Sequence, residues 1–234
     1  MIAVGEPSSP SRLLSARFDS ALVFAAQLHA TQARKGSGVP YIAHLLAVAS
    51  LVLEHGGTED DAIAALLHDA VEDQGGPATR DRIRALFGVA VTAIVDGCSD
   101  TDQTPKPPWK QRKKAYIAHL PHASASVRLV SLADKVHNAQ AMLHDYRRVG
   151  AALWSRFTAG RDDQLCYYRS LVRAFQSSDT APQLVAELDE AVSALEHETA
   201  AETPSPPRTG RDCGASDVSS RSSRRTDEHV WDRG

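Results

Sequence analysis

The sequence predicts an all-α protein, a helical bundle, and three observations lead to this fold class. Apolar residues recur at spacings of three and four along most of the chain, which is the period of a helix with one buried face. Strand-like alternation of apolar and polar residues is almost absent. Glycines and prolines stand mainly between the periodic segments, where they mark turns and loops.

The chain of 234 residues has the composition of a globular protein, with 42% hydrophobic and 24% charged residues. The net charge of -3 and the lack of a basic stripe with interleaved aromatic residues predict no nucleic-acid partner. No apolar run approaches transmembrane length and the first residues lack a signal-peptide core, so we expect no membrane association and a cytoplasmic location. Three scattered cysteines fit a reducing interior.

Composition also predicts the division of the chain. Residues 1–15 are rich in proline and serine and are expected to be flexible. Residues 16–198 carry the helical pattern and form the predicted domain. Residues 199–234 turn to Pro, Ser, Arg, Asp and Gly with very few apolar residues, which predicts a disordered tail.

The first two helices are joined by a loop. A helix is predicted over 18–33, and Arg34 and Lys35 lie at its C-terminal end, where cations complement the helix dipole. The loop over 36–40 contains two glycines and a proline. A second apolar helix is predicted over 45–55.

The segment from Thr58 to Gly76 is predicted to be one helix, around which the rest of the chain is organised. Thr58 can cap its first turn, and Asp61 can complete the capping box. Gly75 and Gly76 end the helix. Between these signals the apolar residues fall on one face at helical spacing.

Four titratable residues interrupt this apolar face: His68, Asp69, Glu72 and Asp73. His68 stacks over Glu72, and Asp69 stacks over Asp73, because residues four apart lie one helical turn from each other. Burying such groups is unfavourable unless something neutralises them, and a divalent cation is the simplest solution. For a single His-Asp pair, an acidic helix end with a satisfied histidine is the alternative.

The remaining helices are predicted over 79–87, 89–98, 109–120, 124–146, 161–175 and 181–197. Gly88 separates the first two of these, and a loop with three prolines occupies 99–108. The helix over 109–120 is strongly basic and could present its cations to solvent or to an anion. The last helix carries a heptad-like apolar stripe, which fits either core packing or a dimer seam.

Two further polar residues stand within apolar helices, His44 and Asp134. Each alone has an ordinary explanation, as a core histidine and as a salt-bridged or helix-kinking aspartate. With His68 and Asp69 they make a set of two imidazoles and two carboxylates from three helices. Such a set of nitrogen and oxygen donors suits Mn²⁺, Fe²⁺ or Zn²⁺ and lacks the thiolates of a structural zinc site.

Three ordered blocks carry a resemblance to a known family. They are Gln32-x-Arg34-Lys35 followed by Pro40-Tyr41-Ile42-x-His44, then His68-Asp69-x-x-Glu72-Asp73, then Leu132-Ala133-Asp134-Lys135-x-x-Asn138. With these blocks the chain resembles the HD-domain metal-dependent phosphohydrolases. Within that family it is similar to the hydrolase domain of RelA/SpoT proteins and to the small, metazoan SpoT-like alarmone hydrolases.

The resemblance implies an HD-type domain and roles for the matching residues. It implies that one Mn²⁺ is held by His44, His68, Asp69 and Asp134. Glu72 and Asp73 match the acidic pair that positions or deprotonates the attacking water.

Substrate contacts are also implied by the resemblance. Arg34 matches an arginine that packs against the guanine base. Asn138 matches a substrate-facing residue. Lys35 matches a lysine near the substrate phosphates, and Lys135 is a further cation suited to a polyanionic substrate.

The implied reaction is removal of the 3′-diphosphate from (p)ppGpp, giving GDP or GTP and pyrophosphate. Two departures bear on base specificity: the loop after Lys35 is one residue longer than the bacterial pattern, and Ala141 replaces a threonine common in the bifunctional proteins. We expect a hydrolase without a synthetase domain. Two alternatives stay open, an HD hydrolase of another nucleotide phosphoester and a non-catalytic nucleotide-binding or metal-binding module.

Overall fold

A computed structural model describes residues 13–101 and 105–201. The described chain is helical, and its regular pairing outside helices is one isolated bridge between Ala33 and Pro40. The helices are α1 Ala16–Leu28, α2 Ile42–Glu54, α3 Glu59–Leu67, α4 Ala70–Asp73, α5 Gly76–Cys98, α6 Trp109–His119, α7 Ala125–Val149, α8 Arg161–Gln176 and α9 Pro182–Ala201, with 3₁₀ turns at Leu120–His122 and Gly150–Arg156. The predicted all-α fold is confirmed.

Helix α7 lies at the centre of the bundle. It packs against α2, α3, α5, α8 and α9, and its residues Val130, Leu132 and Val136 are fully buried. Its N-cap is Ser124, whose side chain accepts a hydrogen bond from the amide of Val127. The helix therefore carries Asp134 into the interior, where a carboxylate needs partners.

The apolar stripe of α9 is part of this core. Leu184, Leu188, Val192 and Leu195 are all buried against the rest of the bundle, and α9 packs on α7 and α8. Core packing, rather than a dimer seam, accounts for the heptad-like spacing. Helix α9 continues to Ala201, which extends into the segment predicted as a tail. The expected disorder of 202–234, and that of residues 1–12, concerns residues outside the described chain.

The predicted helix over 18–33 is wrong in its last turn, because α1 ends at Leu28. The following residues form a short hairpin-like loop, in which the amide of Arg34 donates to the carbonyl of Val39 at 2.8 Å and the amide of Tyr41 donates to that of Gln32 at 2.9 Å. These cross-loop bonds replace helical ones. Arg34 and Lys35 therefore lie on a loop that returns the chain to α2, and not at a helix end.

The prediction of one helix from Thr58 to Gly76 is also wrong, since the helix breaks at His68 and Asp69. The capping box is present, with the Thr58 amide donating to Asp61 Oδ2 at 2.8 Å. At the break, His68 Nδ1 lies 2.8 Å from the carbonyl of Ala65. This ring uses a carbonyl that a continuous helix would offer to a backbone amide, and the last turn separates as α4.

Two other sequence features are located by the structure. Gly88, with φ 90° and ψ 176°, kinks α5 at the point where two helices were predicted to meet. Among the described residues, none of the helices is both long and apolar enough to cross a lipid bilayer.

Candidate active site

The predicted ligand residues converge where α2, the α3–α4 break and α7 meet. Candidate ligand atoms of His44, His68 and Asp134 all lie within 4.8 Å of one another. Asp134 Oδ1 is 3.2 Å from His44 Nε2 and 3.6 Å from His68 Nε2. The three helices thus bring together residues that are far apart in the sequence.

Asp69 completes this group. Its Oδ2 atom lies 3.0 Å from His68 Nε2 and 3.7 Å from His44 Nε2. Its side chain is 15% exposed, which makes it the most accessible of the four. We call His44, His68, Asp69 and Asp134 the metal corner.

The donor atoms of the metal corner fit a divalent cation. Because a carbonyl can only accept a hydrogen bond, the contact of His68 Nδ1 with Ala65 places the ring hydrogen on Nδ1 and leaves Nε2 as a potential ligand. His68 Nε2 is buried and makes no well-aligned hydrogen bond within the described chain. Two imidazole nitrogens and two carboxylates are a ligand set for Mn²⁺, Fe²⁺ or Zn²⁺.

The pKa shifts of the metal-corner residues also favour a positive charge at this position. Burial alone would lower the pKa of His68, but Asp69 and Asp134 raise it well above its usual value. Burial would raise the pKa of Asp134, yet Lys135 and the two histidines lower it well below its usual range. Burial opposes ionisation of Asp69 in the same way, and His68 lowers the pKa of that carboxyl. The buried carboxylates are therefore stabilised by neighbouring cations, a role that a bound metal ion can fill.

Three supporting residues had no role assigned from the sequence. Tyr41 donates its hydroxyl hydrogen to Asp69 Oδ2. His137 Nδ1 lies 2.8 Å from His44 Nδ1, so one of these two nitrogens carries the hydrogen between them. Gln32 donates to Asp73 Oδ2 at 2.8 Å. Tyr41 and Gln32 stand in the quoted motif, but nothing in their spacing indicates which side chain they contact.

The predicted substrate residues fall into two groups. Arg34 is buried and donates to Asn138 Oδ1 at 2.8 Å, and Asn138 donates to Asp134 Oδ1 at 2.6 Å. Lys135 is buried, and its Nζ donates to Asp134 Oδ2 at 2.7 Å. Lys35 lies on the same loop as Arg34, with its side chain exposed. The structure thus links Arg34, Asn138 and Lys135 to the metal corner and leaves Lys35 at the surface.

Glu72 and Asp73 follow the corner on α4 and point to different partners. The backbone amide of Asp73 donates to the carbonyl of Asp69 at 2.9 Å, which ties α4 to the corner. The Asp73 side chain accepts from Gln32 of the α1–α2 loop. Glu72 Oε1 lies 4.0 Å from Lys106 Nζ, and its side chain is only 7% exposed.

Residues 21–165 match the family model of the HD domain. The chain belongs to the HD-domain family. The match spans all ten residues predicted for the site. It also confirms the predicted resemblance to the HD-domain family.

Individual relatives are more specific. The chain is 40% identical over 145 residues to the guanosine-3′,5′-bis(diphosphate) 3′-pyrophosphohydrolase MESH1 of Xenopus tropicalis, covering 58% of this chain and 76% of the relative. It is 38% identical to the human enzyme of the same name over 135 residues, 56% of this chain and 70% of that one. The chain is 34% identical to the bifunctional (p)ppGpp synthase/hydrolase SpoT of Escherichia coli over 132 residues, which cover 54% of this chain and 18% of SpoT.

Solved structures agree with these relatives. A metazoan orthologue of SpoT, described as hydrolysing ppGpp, has a TM-score of 0.64 and 25% identity, over 78% of this chain and 97% of that one. The Listeria monocytogenes protein lmo0812 has a TM-score of 0.57 and 27% identity, over 70% and 99% of the two chains. With the family match, these findings identify the HD-domain chain as a metal-dependent hydrolase.

Proposed function

We propose that the protein is a (p)ppGpp 3′-pyrophosphohydrolase, which gives GDP or GTP and pyrophosphate. The observation that carries this proposal is the convergence of two imidazoles and two carboxylates from three helices on one buried corner. A hydrolase with such a corner suits a phosphoester or diphosphate substrate. The named activity of the MESH1 relatives supports the choice of substrate.

The four residues of the metal corner would hold one divalent cation, and we propose Mn²⁺ in preference to Fe²⁺ or Zn²⁺. When bound, this cation supplies charge neutralisation at a phosphoryl oxygen and a water molecule of lowered pKa. The protein orients its own ligands for this task, because Tyr41 holds Asp69, and Asn138 and Lys135 hold Asp134.

The acidic pair on α4 is assigned to the attacking water molecule. We assign Glu72 and Asp73 to positioning the water and accepting its proton, since both follow Asp69 by one turn or less. The water oxygen forms a new bond to the phosphorus joined to the 3′ oxygen. The bond between that phosphorus and the 3′ oxygen breaks, and the 3′ oxygen takes up a proton as the nucleotide leaves.

Substrate recognition is assigned to the cations and the amide near the corner. The planar Arg34 guanidinium is suited to pack on the purine face. Its hydrogen-bond partner Asn138 also donates to Asp134 and is assigned to the substrate side of that ligand. Lys35, whose side chain is exposed, is assigned to the phosphates. Lys135, predicted from the sequence as a further cation for them, is buried on Asp134 and is assigned to holding that ligand. The proposal includes a cytoplasmic location.

The test is to incubate the purified protein with Mn²⁺ and a panel of ppGpp, pppGpp, nucleoside 5′-monophosphates and cyclic nucleotides, and to identify the products. Release of pyrophosphate from ppGpp with formation of GDP is expected. Release of orthophosphate, or turnover of another member of the panel instead, would indicate a different HD hydrolase. Nucleotide or metal binding without turnover would indicate a binding module.

A further inference from the structure

Two buried ion clusters lie outside the metal corner. In the first, Asp100 accepts hydrogen bonds from Arg112 and Lys113, so two cations of the basic helix α6 turn inward to a carboxylate of the same chain. In the second, Asp145 of α7 pairs with Arg156, the last residue of the second 3₁₀ turn. The second cluster reaches the loop between α1 and α2, which carries two of the predicted substrate residues.

The guanidinium of Arg156 is held by Asp145. Arg156 Nη1 donates to Asp145 Oδ2 at 2.6 Å, and the two side chains are 14% and 9% exposed. The other carboxylate oxygen, Oδ1, accepts a hydrogen bond from Arg148 Nη2 at 3.0 Å. A charge-assisted hydrogen bond in a largely desolvated setting is strong and directional. Asp145 therefore fixes where the Arg156 guanidinium lies.

The same guanidinium packs against Gly36 in the α1–α2 loop. A Cβ placed on Gly36 would lie 2.7 Å from Arg156 Cζ, closer than carbon atoms that are not bonded approach each other. The contact is therefore made by the glycine backbone itself. Gly36 also has a φ of 79°, a conformation that favours glycine. Arg156 thus covers the turn of the loop directly after Lys35.

The loop is attached to α7 at a second point. Arg34 donates to Asn138 Oδ1 at 2.8 Å, and the carbonyl of Arg34 accepts from the amide of Gly38 at 3.1 Å, which closes the turn. Asn138 and Asp145 are seven residues apart, about two helical turns, so they lie on the same face of α7. One face of a single helix consequently holds the loop twice, directly at Arg34 and through Arg156 at the turn.

We propose that Arg156 is a positioning residue for Arg34: held by Asp145, its guanidinium packs on Gly36 and fixes the loop that presents Arg34 to the substrate. The proposal rests on the substrate-binding role assigned to Arg34 above. Glycines at 36 and 38 would leave an unsupported loop flexible. Ordering this loop in advance reduces the conformational entropy that substrate binding has to overcome.

The test compares Arg156→Met with Arg148→Met in the full-length protein loaded with Mn²⁺. Each variant removes one cation and leaves Asp145 paired with the other, but Arg148 is half exposed and is the matched control. For R156M we expect KM for ppGpp to rise about 10-fold and kcat to change by about twofold at most. Contacts to the base, remote from the reacting atoms, bind substrate and transition state alike. R148M should leave both constants within about twofold of wild type.

A mutant cycle with Arg34→Met tests whether Arg34 carries the effect. In the R34M background, adding R156M should change KM by about twofold or less, because the side chain that Arg156 positions is already absent. An equal rise of KM in the wild-type and R34M backgrounds overturns the positioning role.

Amide hydrogen exchange measures the loop without any substrate. The amides of Arg34 and Gly38 both form hydrogen bonds within the loop and should exchange about 10-fold faster in R156M than in wild type or R148M. Unchanged exchange at both amides overturns the proposal.

Arg156→Lys is the second variant, and it also serves if R156M fails to fold. It keeps a cation opposite Asp145 but lacks the planar group that covers Gly36. We expect it to show the higher KM and the faster exchange of R156M. Wild-type behaviour of R156K would mean that the ion pair, and not the contact with Gly36, orders the loop, and this too overturns the proposal.

The outcomes separate this proposal from the proposed function. A wild-type protein that is inactive on ppGpp but active on another nucleotide refutes the proposed substrate, and the same comparison of KM values on that nucleotide then decides the role of Arg156. A wild-type protein that hydrolyses nothing in the panel overturns the proposed function and with it the positioning role in catalysis. Hydrogen exchange then decides whether Arg156 orders the loop.

Discussion

Tyr41 shows how one hydroxyl can govern a metal ligand. Its O–H donates to Asp69 Oδ2, the oxygen that also faces both histidines of the metal corner. The donated bond fixes the rotamer of the carboxylate and leaves less freedom to be lost when a cation binds. Outer residues of this kind affect metal affinity strongly.

Tyr41→Phe is therefore expected to weaken Mn²⁺ binding about 10- to 100-fold while the fold is kept. Isothermal titration calorimetry of the metal-free protein measures this directly. Tyr167→Phe is a matched control, because its hydroxyl is buried without a hydrogen-bond partner in the described chain. Equal Mn²⁺ affinities for wild type and Y41F would contradict the role assigned to this hydroxyl.

Glu72 and Asp73 give the next prediction at this scale. Glu72→Gln and Asp73→Asn remove the proton-accepting groups without touching a residue of the metal corner, so we expect kcat to fall about 10²- to 10⁴-fold with Mn²⁺ binding retained. Steady-state kinetics and calorimetry measure the two quantities. Glu54→Gln, a change at an exposed glutamate bonded to Ser50, serves as control. Undiminished hydrolysis in the amide variants would refute the assignment.

At the scale of elements, the start of α3 is stabilised by its capping box. Thr58→Ala removes the acceptor for the Asp61 amide and the hydroxyl that donates to Asp61 Oδ2, while the backbone amide of residue 58 keeps its bond to that oxygen. We expect the free energy of unfolding to fall by about 1 kcal/mol. Urea denaturation measures the loss, and Ser20→Ala, at an exposed serine that bonds only its own helix, should cost much less.

The loop between α1 and α2 gives a comparison of two glycines with similar backbone. Gly36 and Gly38 have φ angles of 79° and 71°. A Cβ at Gly36 would lie 2.4 Å from Arg156 Nε, whereas a Cβ at Gly38 meets nothing within 4 Å. Both positions are strained for alanine, but only at Gly36 must the guanidinium also move.

Gly36→Ala should accordingly destabilise the protein more than Gly38→Ala, whose cost is the backbone strain of about 1 kcal/mol. The difference between the two unfolding free energies in urea isolates the Arg156 contact. Arg156 Nη1 donates to Asp145 Oδ2 at 2.6 Å, so a shift of the guanidinium away from the new Cβ also disturbs that ion pair. Equal losses of unfolding free energy for the two variants would show that the Arg156 side chain moves aside at no cost.

Element positions were largely predictable from periodicity, and the errors have physical causes. Gly88 and Thr58 acted as expected, since their effects depend on local backbone chemistry. The ends of α1 and α3 did not follow, because a cross-loop hydrogen bond at Arg34 and a side-chain contact at His68 compete with the helix. Such competition depends on atoms that local sequence does not bring together.

At the scale of the whole molecule, the metal corner joins α2, the α3–α4 break and α7. A cation bound there contacts the native arrangement and not the unfolded chain, so it should stabilise the fold by about 2.7 kcal/mol at 100 times its dissociation constant. Differential scanning fluorimetry with Mn²⁺ and with EDTA measures the shift in Tm. The shift should vanish in His68→Ala, and a shift that persists there would place the binding elsewhere.

The sequence predicted the candidate metal ligands of the site better than the residues that hold those ligands in place. His44, His68, Asp69 and Asp134 stood out because polar groups in apolar helices need an explanation. His137 and Tyr41 did not, because histidines and tyrosines occur in many settings and the residues they contact here are far away in the sequence. Likewise, the inward turn of Arg112 and Lys113 follows from the position of Asp100 and not from the composition of α6.

One hydrogen-bonded chain runs from Arg34 through Asn138 to Asp134. In the proposed complex Arg34 contacts the base and Asp134 Oδ1 contacts the cation. The hydrogen-bonded chain between them links the two binding equilibria thermodynamically. The factor by which bound nucleotide changes the affinity for the cation must equal the factor by which bound cation changes the affinity for the nucleotide. Asn138→Ala should therefore reduce this coupling without abolishing it, because in the proposed reaction the cation also acts directly on a phosphoryl oxygen of the nucleotide.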